Sequence, residues 1–229
     1  MLLTQAESEA LLLSLKVSTV AVVAALPFAL AAAFLLARTR FPGKTFIDGI
    51  LHLPLVLPPV VVGYLLLITF GTREPVGAWL LAHLGLRLAF TWKGAAVAAG
   101  LITFPFQLRA IRLALEGLDR GLSEAAETLG AGPLDRFVNL VLPLALPGVV
   151  AGAITAFAAS LGEFGAIITF VSNIPGETQT LPLAIYSAIQ TAGGEVEAAR
   201  LSALSIALAL LGLTLAELAD RRVRTLIGQ

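Results

Sequence analysis

The sequence predicts an all-α integral membrane protein with about five spanning helices. Three observations lead there. Of its 229 residues, 58% are hydrophobic and 13% charged, about half the charged fraction that a soluble surface needs, and the mean hydropathy is +0.92. Apolar stretches near 11–37, 46–70, 93–113, 137–160 and 198–219 are each long enough to cross a hydrocarbon core of about 30 Å at ~1.5 Å per residue. None of them alternates apolar and polar residues with the period of two that a membrane barrel requires. Helices, which satisfy their own backbone groups in lipid, remain. The composition excludes a soluble enzyme and a disordered tail. It also excludes a nucleic-acid binder, because 15 Lys+Arg balance 15 Asp+Glu and leave no basic surface. Cysteine is absent, so there is no disulfide framework or thiolate metal site.

Each element follows from its own residues. Residues 1–10 carry Glu7 and Glu9 and no base. The run Leu11–Ala37, broken only by Lys16, is too long for a signal-peptide core and reads as a first span retained in the mature protein. The second span holds Pro54, Pro58 and Pro59, each of which removes a donor and crowds the preceding turn. Two readings stand: a kinked helix repaired by its neighbours, or an interrupted helix lining a solute path. Asp48 and His52 are one turn apart and read as a polar anchor at the inner end of this span. The remaining spans, 93–113, 137–160 and 198–219, are rich in Ala, Leu and Val. Phe164–Val171 is too short to cross alone; it either extends the fourth span or dips back into the membrane.

Orientation comes from the basic residues. Arg38, Arg40 and Lys44 follow span one; Arg109, Arg112, Arg120 and Arg136 surround the loop after span three; Arg221, Arg222 and Arg224 follow span five. With five spans all of these fall on one side, which is then cytoplasmic. The N-terminus is therefore expected outside, together with the 71–92 loop and the 161–197 region, and the C-terminus inside. His83 reads as a solvated residue of the 71–92 loop.

Catalytic signals are weak. Gly43-Lys44-Thr45 resembles the end of a phosphate loop, but Arg38 stands where the pattern needs glycine and no strand precedes it, so this chain is not expected to bind ATP. His52 and His83 are too far apart for a helical metal pair. Glu163 sits near the end of a span with no second acid or nucleophile at catalytic spacing, and is either an intramembrane carboxylate or a residue at the outer water interface.

The informative segment is the cytoplasmic loop, about 116–136. Ser123 is a candidate N-cap, and Glu124 and Glu127 suit the positive end of a helix dipole. Gly130 suits a left-handed helix terminus, and Gly132-Pro133 a turn. This gives about two turns of helix whose small apolar face, Ala125, Ala126 and Leu129, is a docking surface rather than a core. Further on, Gly148-Val-Val-Ala-Gly152 gives a face where helices pack closely, either within the subunit or across a dimer.

Glu124-Ala125-Ala126, Gly130, Leu140, Leu142 and Pro143 together resemble the signature of binding-protein-dependent ABC importer permeases, with Leu140 where the family most often has Ile. The resemblance implies the type I importer transmembrane fold, as a single permease domain over 1–229. It implies a coupling helix at Glu124, Ala125, Ala126, Leu129, Gly130 and Pro143 that docks into a cytoplasmic ATPase. The stretches His52–Gly63, Arg109–Gly117 and Ser160–Glu177 look like the molybdate permeases of this family; sulfate and tungstate permeases share much of the pattern. The implied partners are a second copy of the chain, a dimer of ATPase subunits carrying ATP and Mg, an external molybdate-binding protein and the lipid of the inner membrane. No cofactor is expected on this chain itself. The translocation path is expected near Pro58, Pro59, Ser160, Glu163, Phe164 and Gly165.

Two rival classes remain. A stand-alone secondary transporter would want carboxylates or histidines in mid-span, and spans three and four have none. A membrane-embedded enzyme using Glu163 would want a second converging polar group. Spans three to five also lack Lys or Arg in their central turns, and Thr155, Ser160, Thr169 and Ser172 are neutral donors. The passage is therefore expected to bind its anion weakly, with Glu163 structural rather than a ligand.

Overall fold

The computed structural model describes residues 3–227, with side chains left undescribed for Arg120 and for most of the stretch beyond Gly212. All regular structure in that range is helical. The first helix, α1 (Gln5–Arg38), opens on a capping box in which Thr4 Oγ1 accepts the Glu7 N–H and the Glu7 carboxylate accepts the Thr4 N–H. Such reciprocal bonds satisfy donors that a helix start leaves unpaired.

The second apolar stretch is not one helix. It forms α2 (Lys44–His52), a 3₁₀ turn over Leu53–Leu55, and α3 (Pro59–Phe70), with a bend of 106° between the two arms. The cause is local: Pro54, Pro58 and Pro59 lack donors, and Pro58 itself stands at φ −54°, ψ 131°, outside helix space. The 71–92 region contains a helix of its own, α4 (Pro75–Leu84). His83 lies in it, stacked on Trp79 with ring centroids 5.0 Å apart, so the loop assignment of His83 is corrected.

The centre of the molecule is α5 (Trp92–Glu116), which packs against both α1 and α8 (Leu142–Leu161). Small residues make this possible. Ala95, Ala98 and Ala99 are fully buried, and a Cβ on Gly100 would lie 3.3 Å from the Ala21 carbonyl oxygen of α1. A Cβ on Gly148 would meet Ala114 Cβ at 2.4 Å, and one on Gly152 would meet Ala110 Cβ at 3.1 Å. The small-residue face of α8 is thus occupied by α5 within the same chain.

Between α5 and α8 lie α6 (Arg120–Thr128) and α7 (Pro133–Arg136), with a π-helical turn over Phe137–Val141 leading into α8. After α8 the chain breaks at residues 162–164. The apolar segment that follows is a separate helix, α9 (Gly165–Val171), packed on α3 and α5. The last helices are α10 (Leu181–Gln190) and α11 (Glu195–Ile227). Among the described residues, three helical stretches, Gln5–Arg38, Trp92–Glu116 and Pro133–Leu161, are long and apolar enough to cross a membrane, and the bent pair makes a fourth if taken as one span. The expected fifth span, 198–219, falls inside α11; the side chains of Arg221, Arg222 and Arg224 lie outside the described residues.

The outer surface of the bundle is apolar, with Phe28 71% and Ile206 62% exposed, as suits a lipid-facing wall. Polar side chains turn inward and join helices. Ser160 Oγ bonds to Ser18 Oγ at 3.0 Å, the Leu181 N–H donates to Ser14 Oγ at 2.7 Å, and buried Gln107 donates to the Val22 carbonyl at 3.4 Å. Such bonds hold helices together where the hydrophobic effect between them is weak. Charges gather at the two ends. One end carries the Glu7–Arg200 pair and Lys16 at 3.6 Å from the Trp92 ring centre. The other carries Arg112 bonded to Asp48 at 2.7 Å and the Arg136–Glu127 pair. Asp48 therefore ties α2 to α5, with His52 Nδ1 3.1 Å from its carboxylate.

Candidate coupling face and candidate passage

Asp119, not Ser123, caps α6: its carboxylate accepts the Gly121 N–H at 2.9 Å. Ser123 is inside the helix. The local reason is that Asp119 already supplies an acceptor one turn earlier, and the helix starts there. Glu127 consequently sits in the last turn rather than the first, where the pairing with Arg136 offsets the unfavourable end of the dipole. Gly130 adopts φ +88°. Its N–H donates to the Glu127 carbonyl at 2.9 Å, and the Ala131 N–H to that of Ala126 at 3.0 Å, which closes the helix as a left-handed residue does.

The face beside this turn is uncovered. Leu129 is 88% exposed, Glu124 and Ala125 are exposed, and Ala126 is half-buried. Pro143, exposed, lies in the first turn of α8. The Arg136–Glu127 pair and the short α7 connect this face to α8.

The residues expected along a path divide into two groups. Around the proline break, α9 and α3 meet closely. A Cβ on Gly165 would lie 2.8 Å from Pro59 Cβ, and one on Gly63 would lie 2.6 Å from the Ala166 carbonyl oxygen. Glu163, buried, accepts the Ala166 N–H at 2.8 Å, so its carboxyl oxygen serves the start of α9. Phe164 packs on Tyr186 of α10 with centroids 5.1 Å apart. Pro58 is exposed beside Pro59. Ser160 stands apart from these: it is 3% exposed and its hydroxyl is engaged with Ser18 of α1. Sequence reasoning missed Asp119, Ser18 and Gln107 as joining residues. Ser18 and Gln107 had a signal, each being a polar side chain inside an apolar run; Asp119 had one in its spacing to Gly121.

Residues 25–225 match the family of binding-protein-dependent transport system inner membrane components, and the chain belongs to it: a multi-pass membrane permease with the type I ABC importer fold. Over all 229 residues it is 56% identical to the molybdenum transport system permease protein ModB of Escherichia coli K12, covering 100% of both chains. It is 51% identical to ModB of Haemophilus influenzae, covering 97% of each chain. It is 37% identical to the sulfate transport system permease protein CysT of Escherichia coli K12, covering 88% of this chain and 72% of that one. In fold it is similar to a bacterial alginate ABC transporter solved with an alginate pentasaccharide-bound periplasmic protein, with a TM-score of 0.75 and 18% identity, covering 96% of this chain and 80% of that one. An amino acid ABC transporter gives a TM-score of 0.66 at 18% identity, covering 95% and 94%.

Proposed function

We propose that this chain is the membrane subunit of an ATP-driven molybdate importer of the inner membrane. It works as a homodimer with two cytoplasmic ATPase subunits, which carry ATP and Mg, and an external molybdate-binding protein. The chain supplies the passage and does no chemistry of its own. The full-length 56% likeness to a molybdenum permease is the observation that carries the substrate.

The coupling step rests on α6. Leu129, Ala125 and Ala126 enter a cleft of the ATPase, Gly130 sets the turn, and Glu124 lies at the rim. Closing of the ATPase pair moves α6, and the Arg136–Glu127 pair passes that motion to α8. The bundle then switches between inward-open and outward-open states, biased by the ATPase at one end and the binding protein at the other. The Pro58-Pro59 break and the Gly165 contact are the irregular elements that such a switch bends. Glu163 is held by the Ala166 N–H and positions α9; its charge would repel a dianion, so it is not a ligand. The donors near the path are neutral, which supports weak binding in transit and selection by the binding protein.

Anion competition tests the substrate. In cells lacking their own molybdate permease, this chain with its ATPase and binding protein should restore molybdate uptake, and excess sulfate should leave it unchanged. Sulfate uptake of equal rate would favour the sulfate reading to which the 37% relative points.

A further inference from the structure

Where α1 ends, Arg38 has a guanidinium nitrogen that no described residue pairs with. Arg38 is the last residue of α1. Its Nε is buried and has no hydrogen-bond partner among the described residues, and no described carboxylate lies within 4.0 Å of its guanidinium. Arg38 as a whole is half-buried; its Nε is the part shut off from water, and a buried donor without an acceptor is costly. Arg38 lines a cavity of about 220 Å³ together with Arg136, Ser123 and the rings of Phe34 and Phe137, several times the roughly 30 Å³ share of a water molecule. Arg136 gives one N–H to Glu127 and a long one, 3.5 Å, to the Ser123 carbonyl; the guanidinium has five in all. The neighbouring carboxylate, Asp119, lines an adjoining pocket with Arg38 and gives one oxygen to the cap of α6.

Arg38, Arg136 and Ser123 line one cavity, with Glu127 paired to Arg136; two guanidinium groups there make a donor set for an anion, and guanidinium forks match tetrahedral oxyanions in particular. We propose that this joint, between the end of α1 and the base of the coupling face, binds a tetrahedral oxyanion through Arg38 and Arg136, with Ser123 as a neutral donor. This site is distinct from the α3–α9 passage. The edge-to-face pair of Phe34 and Phe137, with centroids 5.1 Å apart, gives it an apolar wall. The phosphate of an anionic phospholipid and a free inorganic oxyanion share the required chemistry, and the experiment separates them.

The assembled permease–ATPase complex is used throughout. For the lipid arm, native mass spectrometry counts phosphatidylglycerol retained per permease. For the free-ion arm, ³¹P line broadening follows inorganic phosphate titrated onto the complex in phosphatidylcholine nanodiscs. One arm should give a saturable signal that Arg38→Gln weakens about tenfold or more, the size of losing hydrogen bonds to a charged group. Arg38→Lys should fall between, since it keeps the charge and loses the fork. Arg40→Gln, exposed and outside the cavity wall, should bind like wild type. If Arg38→Gln does not assemble, Arg38→Lys and Ser123→Ala decide, each with a several-fold loss. Retention of neither ligand by wild type overturns the proposal, as does equal weakening in Arg40→Gln.

Discussion

Gly130 carries a conformational demand and no packing demand. At φ +88° nothing lies within 4 Å of the place its Cβ would take, so a substitution there costs only what left-handed backbone costs an L residue, about 1–2 kcal/mol. Gly130→Val should lose most ATPase stimulation by the assembled complex while still inserting in the membrane, and Gly130→Asn, which tolerates that region, should keep most of it. Glu124→Lys should be milder than Gly130→Val, because Glu124 stands in the body of α6 where the dipole is weak. At the far end of the bundle, Thr4's backbone N–H, ahead of the opposing push of burial, together with its side chain and Arg200, holds the Glu7 carboxyl below its ordinary 4.5. A carboxylate lowered on folding contributes stability that is full above its ordinary pKa and is lost as pH falls through the folded one. Glu7→Gln should therefore unfold at a lower temperature than wild type at pH 7, with the gap closing below about pH 4.5; thermal unfolding in detergent reads it.

Helix contacts set the next level. Gly63 lets α3 lie on the backbone of α9, and Gly63→Val should force them apart at a cost of about 1–3 kcal/mol, lowering both unfolding temperature and transport. Gly49→Ala is the matched control, because nothing lies within 4 Å of its Cβ position. The proline break in the second span was legible from sequence because proline acts through its own ring and missing donor. The left-handed Gly130 was legible for the same local reason. The start of α6 was misjudged by one turn, since Ser123 and Asp119 are both competent caps and the choice depends on which satisfies a free N–H first. The contact of α9 with α3 and the Arg38–Arg136 cavity were not legible, because each joins residues about a hundred positions apart and no spacing rule reaches that far. Orientation rests on the basic residues and can be measured without background, as the chain has no cysteine. Single cysteines at exposed Thr72 and Ala192 should react with an impermeant maleimide added outside cells, and one at exposed Gly121 should not; labelling of Gly121 would reverse the topology.

The molecule as a whole joins an uncovered face at one end to an irregular, proline-broken contact between α3 and α9, through a bundle cemented by small residues on α5. In the proposed function the energy comes from the partner ATPase. The alternative is a solitary transporter driven by a proton gradient, and the measurement that separates the two is uptake by proteoliposomes. Molybdate should accumulate only when permease, ATPase subunit, binding protein and ATP are all present, and an imposed proton gradient without ATP should move none. Accumulation by the permease alone under a proton gradient would contradict the account.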